Sequence, residues 1–65
     1  MPFPVNSLYE IRSSGKEPVI VKIIESPAAI YKIKVEETVT KEMHYLVEYL
    51  VGDAEIREVR GMPQS

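Results

Sequence analysis

The stretch that decides the fold runs Thr38-Val39-Thr40-Lys41-Glu42-Met43-His44-Tyr45-Leu46-Val47-Glu48-Tyr49-Leu50-Val51. Two periodicities fit it. As a strand, Met43, Tyr45, Val47, Tyr49 and Val51 line one face, and His44, Leu46, Glu48 and Leu50 line the other. As a helix, Val39, Met43, Leu46, Val47, Leu50 and Ala54 form an amphipathic stripe, and Gly52 follows as a natural C-terminal stop. Composition favours the strand. Tyrosine and valine are better housed in strands than in helices, and Thr38 is followed three residues later by Lys41 rather than by the glutamate of a capping box.

The flanking segments lean the same way. Upstream, Val19-Ile20-Val21-Lys22-Ile23-Ile24 is β-branched at nearly every position, which predicts a strand covered on both faces. Ala29, Tyr31, Ile33 and Val35 alternate with Ile30, Lys32, Lys34 and Glu36, predicting a half-buried strand with a basic outer face. Ser26-Pro27 separates these two runs, so 18–25 and 28–37 are expected to form an antiparallel hairpin. A short first strand is expected within Val5–Arg12, closed by the polar turn Ser13-Ser14-Gly15-Lys16-Glu17-Pro18. Gly52-Asp53 suits a tight hairpin turn into a last strand over Ala54–Arg60, with a bulge or strand end near Arg57 because Val59 is out of phase.

These elements predict a mainly β fold: a small antiparallel meander or an SH3-like five-stranded barrel. The alternative is an α+β fold with residues 40–51 as one helix on a three- or four-stranded sheet. With 65 residues there is room for one domain, expected over 1–61, with a disordered tail at 62–65. So short a chain buries a modest share of its surface, and without cysteine it has neither disulfides nor thiolate metal sites to assist it. Idealised packing or self-association must make up the difference. No apolar run exceeds four residues and the N-terminal stretch has no basic, signal-like start, so the chain is expected to be cytoplasmic and to keep away from membranes.

Charge is uneven. Residues 1–35 hold five basic and three acidic side chains, and residues 36–65 hold three basic and seven acidic ones, for a net −2 overall. A dedicated nucleic-acid binder is normally basic, so the total counts against that role. Even so, Lys22, Lys32 and Lys34 form a candidate basic face of the kind small barrels use.

The chemistry-bearing motifs are weak. His44 is the one histidine, with Glu42 and Glu48 as possible partners, but a metal site with no second histidine and no cysteine is poor. Ser13-Ser14-Gly15-Lys16 fails as a phosphate loop because Glu10 stands where the earlier glycine belongs and Glu17 follows the lysine. No serine or threonine has a recognisable base, and Glu36-Glu37 point to opposite faces of a strand. The expectation is therefore no enzyme, no cofactor and no bound metal. What remains is protein–protein association, as a homo-oligomer or a minor subunit of a larger assembly. Met43, Tyr45, Val47, Tyr49 and Leu50 are the expected interface, since one small sheet can hardly bury both sides of so apolar a strand.

Overall fold

The computed structural model describes residues 3–59. They form one five-stranded antiparallel sheet: β1 (Leu8–Arg12), β2 (Val19–Glu25), β3 (Lys34–Glu37), β4 (Met43–Tyr45) and β5 (Glu55–Glu58). The spatial order is β4-β3-β2-β1-β5. The first four strands follow one another as a meander, and the last returns to the free side of β1. The mainly β expectation is met. The α+β alternative is not, since the helical elements among the described residues are two 3-10 turns, Ile30–Lys32 and Leu46–Glu48. No described helix is long and apolar enough to cross a membrane. The tail expected at 62–65 lies outside the described residues.

The inner face is built by period-two alternation. Tyr9 and Ile11 of β1, Val21 and Ile23 of β2 and Val35 of β3 are all buried. Cross-strand pairs stack them: Tyr9 opposite Val21, Ile23 opposite Val35, and Ile11 opposite Ile56 of β5. The outer side of β2 is not covered as the run of β-branched residues suggested. Ile20, Lys22 and Ile24 are only half-buried, in contrast to Val21 and Ile23.

The β2–β3 pairing is the antiparallel one expected, but β3 starts at Lys34 rather than at residue 28. Residues 30–32 wind into a 3-10 turn, in which the Lys32 N–H donates to Ala29 O (3.0 Å) and the Ile33 N–H to Ile30 O (3.1 Å). Pro27 has no N–H to offer a ladder, so the chain makes its own local bonds until Ile33 drops into the core. A register shift between Ile23 and Glu25 bends β2 where this excursion begins.

The ambiguous segment is strand for three residues and then turn. The Leu46 N–H still donates to Ile33 O at 2.8 Å, one step past β4, and then the chain coils. A strand carried on to Val51 would leave Tyr45, Val47, Tyr49 and Val51 all facing outward. The 3-10 turn, with three residues per turn, instead brings Tyr49 round to the side of Leu46. Leu46 is 0% exposed, and Tyr49 and Leu50 pack against the core. The strand reading holds for Met43–Tyr45 only, and the helical stripe does not form, since Val39 and Met43 are exposed and the turn at Leu46–Glu48 is three residues long.

Gly52-Asp53 is not a hairpin turn. β4 and β5 occupy opposite edges of the sheet, so the chain from Tyr49 to Ala54 crosses from one side to the other. Gly52 (φ +84°) provides a left-handed bend on that path. β5 keeps an even register over Glu55–Glu58, without a bulge, and the Val59 N–H extends the ladder to Leu8 O at 2.9 Å.

Candidate interaction surface

Both edges of the sheet are open among the described residues, and they differ in chemistry. On β5 the side chains of Glu55, Arg57 and Glu58 are exposed, and Arg57 Nε donates to Glu10 Oε1 at 3.1 Å. Charged side chains of this kind guard an edge against strand addition. On β4 the outer side carries Met43 and Tyr45 instead, with Glu48 reaching the edge only at the Tyr45 N–H.

The backbone direction of β4 follows from its ladder. The Glu37 N–H donates to Glu42 O (2.9 Å) and the Leu46 N–H to Ile33 O, which makes 37/42 and 33/46 bonded pairs. In an antiparallel ladder bonded and non-bonded pairs alternate. Val35 and His44 therefore bond, while Met43 (opposite Glu36) and Tyr45 (opposite Lys34) turn their N–H and C=O groups away from the sheet. The outward Tyr45 N–H is met by Glu48 Oε2 at 3.2 Å. The Met43 N–H has no partner among the described residues. Met43 and Tyr45 also carry the exposed apolar side chains of this edge, at 54% and 44%.

The expected interface set thus divides. Met43 and Tyr45 sit together on the outer side of the edge strand. Val47 is half-buried in the second 3-10 turn, and Tyr49 and Leu50 belong to the margin of the core. The two 3-10 turns pack on each other, so exposed Ile30 and Tyr31 share the sheet end that carries Tyr45 and Val47.

The three lysines are not one face. Lys22 and Lys34 lie on the outer side of the sheet, but Lys22 is opposite Glu36 and Lys34 is next to Glu25, while Lys32 is on the first 3-10 turn. Two of them have aromatic partners instead. Lys32 Nζ is 5.9 Å from the Tyr31 ring centroid, and Lys34 Nζ is 5.9 Å from that of Tyr45. Sequence alternation had set Tyr31 on the opposite face from the lysines. Turn formation at 30–32 removes that separation.

His44 projects from the other side of β4 into a ring of acids. Nδ1 is 3.2 Å from Glu48 Oε1, and Nε2 is 3.4 Å from Glu42 Oε1 and 3.8 Å from Glu37 Oε2. Carboxylates only accept hydrogen bonds, so satisfying both ring nitrogens requires a proton on each. Partial burial alone would lower the imidazole pKa, but the bonds to Glu48 and Glu42, with the charges of Glu48 and Glu37, raise it above the ordinary histidine value. Tyr49 completes the cluster. Its ring meets His44 edge-on at 5.7 Å and its hydroxyl donates to Glu37 Oε2 at 2.8 Å. Burial and that neighbouring carboxylate hold the phenol proton well beyond its ordinary range.

Glu42 and Glu48 were foreseeable as partners of His44 from their spacing. Glu37 and Tyr49 were not, because their approach depends on the β3–β4 turn and on the coil at Leu46. Among the described residues, no three His, Asp or Glu side chains are arranged to hold a metal ion. The arrangement can hold a proton and pin β3, β4 and the second 3-10 turn together. Comparison with protein-family models, with curated proteins and with solved structures gives no match.

Proposed function

We propose that this chain is a small, non-catalytic protein–protein interaction module of the cytoplasm, one that self-associates or serves as a minor subunit of a larger assembly. The observation that carries the reading is the edge at β4, with outward backbone groups at Met43 and Tyr45 and both of these uncharged side chains exposed beside them. Such an edge can accept a strand from a second chain, and tyrosine and methionine are the residue types enriched in interface cores. Three residues make a short edge, and Glu48 already occupies the Tyr45 N–H. A weak, reversible contact follows, with the two side chains supplying much of its area.

The double variant Met43→Lys/Tyr45→Lys tests this, because both side chains are exposed and the inner core is left alone. We expect wild type to show concentration-dependent amide shifts at residues 43–45, and the variant to lose them while keeping its fold. Association that survives the double variant would refute the edge as the interface.

A second reading has one specific observation in its favour. The Tyr31/Lys32 and Lys34/Tyr45 pairs combine exposed rings with cations, the combination that single-stranded nucleic acids stack on. Against it stand the acidic total and the glutamates beside Lys22 and Lys34.

A further inference from the structure

On a different surface, a cleft of about 440 Å³ opens between the β1–β2 turn and the segment that follows the second 3-10 turn. Its apolar lining comes from Ile11, Val19 and Tyr49. Val51 stands at the same cleft with 80% of its surface exposed, among the most exposed large apolar side chains described. Exposed apolar surface at the mouth of a concavity, rimmed by polar groups, is characteristic of a binding groove. The rim carries Glu17, Glu48 and Asp53 against Lys16, and the acids not already bonded to His44 are Glu17 and Asp53.

We propose that this cleft docks a short segment of a partner protein that presents an aliphatic side chain between lysine or arginine residues. The volume is at the lower end of the range for small-ligand sites and suits one aliphatic side chain with the stems of its flanking residues rather than a folded partner. Charge complementarity fixes the flanks, since the acidic rim attracts cations and repels phosphate or carboxylate groups. That disfavours the backbone of a nucleic acid here and separates the cleft from the Tyr31/Lys32 surface. Met43, His44 and Tyr45 do not line it, although Glu48 and Tyr49 join it to the His44 cluster.

Three amidated, acetylated tripeptides test the proposal by amide-shift titration of the whole chain: Arg-Leu-Arg, Glu-Leu-Glu and Arg-Ser-Arg. Arg-Leu-Arg is expected to move the amides of Ser14, Tyr49 and Val51. The Glu-flanked and Ser-centred peptides should each bind about tenfold more weakly, and the preference for arginine flanks should fade by about 0.5 M salt as the charges are screened. Glu17 and Asp53 are exposed and outside the sheet, so Glu17→Lys/Asp53→Lys should fold normally and invert the flank preference. Equal binding of all three peptides, shifts confined to other residues, or no shift up to about 10 mM peptide would overturn the assignment. So would an unchanged flank preference in the double variant.

Discussion

Leu46→Ala is the substitution that probes most deeply how this chain folds. Leu46 is 0% exposed and stands where the chain leaves β4 for the 3-10 turn, its N–H bonded to Ile33 O. Truncating a fully buried leucine costs about 3 kcal/mol, within a usual range of roughly 2–5. A 65-residue chain has a total stability of roughly 3–10 kcal/mol. The variant should therefore lose a third or more of its stability. For a domain of this size each kcal/mol moves the midpoint by about 4–8 °C, giving a drop of roughly 12–24 °C. Val47, one residue on, is half-buried, and Val47→Ala should cost about 1 kcal/mol or less. Urea denaturation of wild type and the two variants measures both losses. If Leu46→Ala costs no more than Val47→Ala, Leu46 does not belong to the core, and the assignment of inner and outer faces from β4 onward fails with it.

Three further outcomes are expected. His44 has a folded-state pKa above its unfolded one, so its contribution is fully present below the unfolded value and is lost as pH rises through the folded value; thermal midpoints should fall from about pH 6 to pH 8, and His44→Gln should flatten that slope. Lys41 holds a left-handed backbone (φ 67°) in the β3–β4 turn, a region that disfavours side chains, so Lys41→Gly should raise stability by about 0.5–1 kcal/mol in the same urea assay. Charge reversal at Lys32 should leave self-association intact in a concentration series, because it is on the first 3-10 turn and its aromatic partner is Tyr31 rather than Tyr45; loss of association there would shift support to the Lys/Tyr surface.

β1 and β2 were legible from composition rather than alternation: Val5–Arg12 does not alternate cleanly and Val19–Ile24 is β-branched at nearly every position, so the strands could be read while the inward face of Tyr9/Ile11 and Val21/Ile23 could not. The polar turn around Gly15 (φ +78°) joins them as an antiparallel pair. Legibility failed where the period changes within a segment. Residues 28–37 alternate throughout, yet 30–32 coil, because local bonds after Pro27 compete with a ladder that β2 bends away from. In 43–51 the switch from strand to turn answers a demand of the whole fold, the burial of Leu46 and Tyr49, which no local window contains. The same holds for the candidate site. Exposure of Met43 and Tyr45 depends on β4 being an edge, which is a matter of strand order. The carboxylate ring around His44 requires Glu37, brought close by a turn with a left-handed Lys41.

Sedimentation velocity on the purified protein, over a wide concentration range, at low and high salt, with and without a mixed-sequence oligonucleotide, tests the central claim most directly. The interaction-module account predicts a reversible increase in mass with protein concentration that resists salt and ignores the oligonucleotide. A monomer at every concentration that co-sediments with the oligonucleotide at low salt would contradict it and assign the function to the Tyr31/Lys32 and Lys34/Tyr45 pairs.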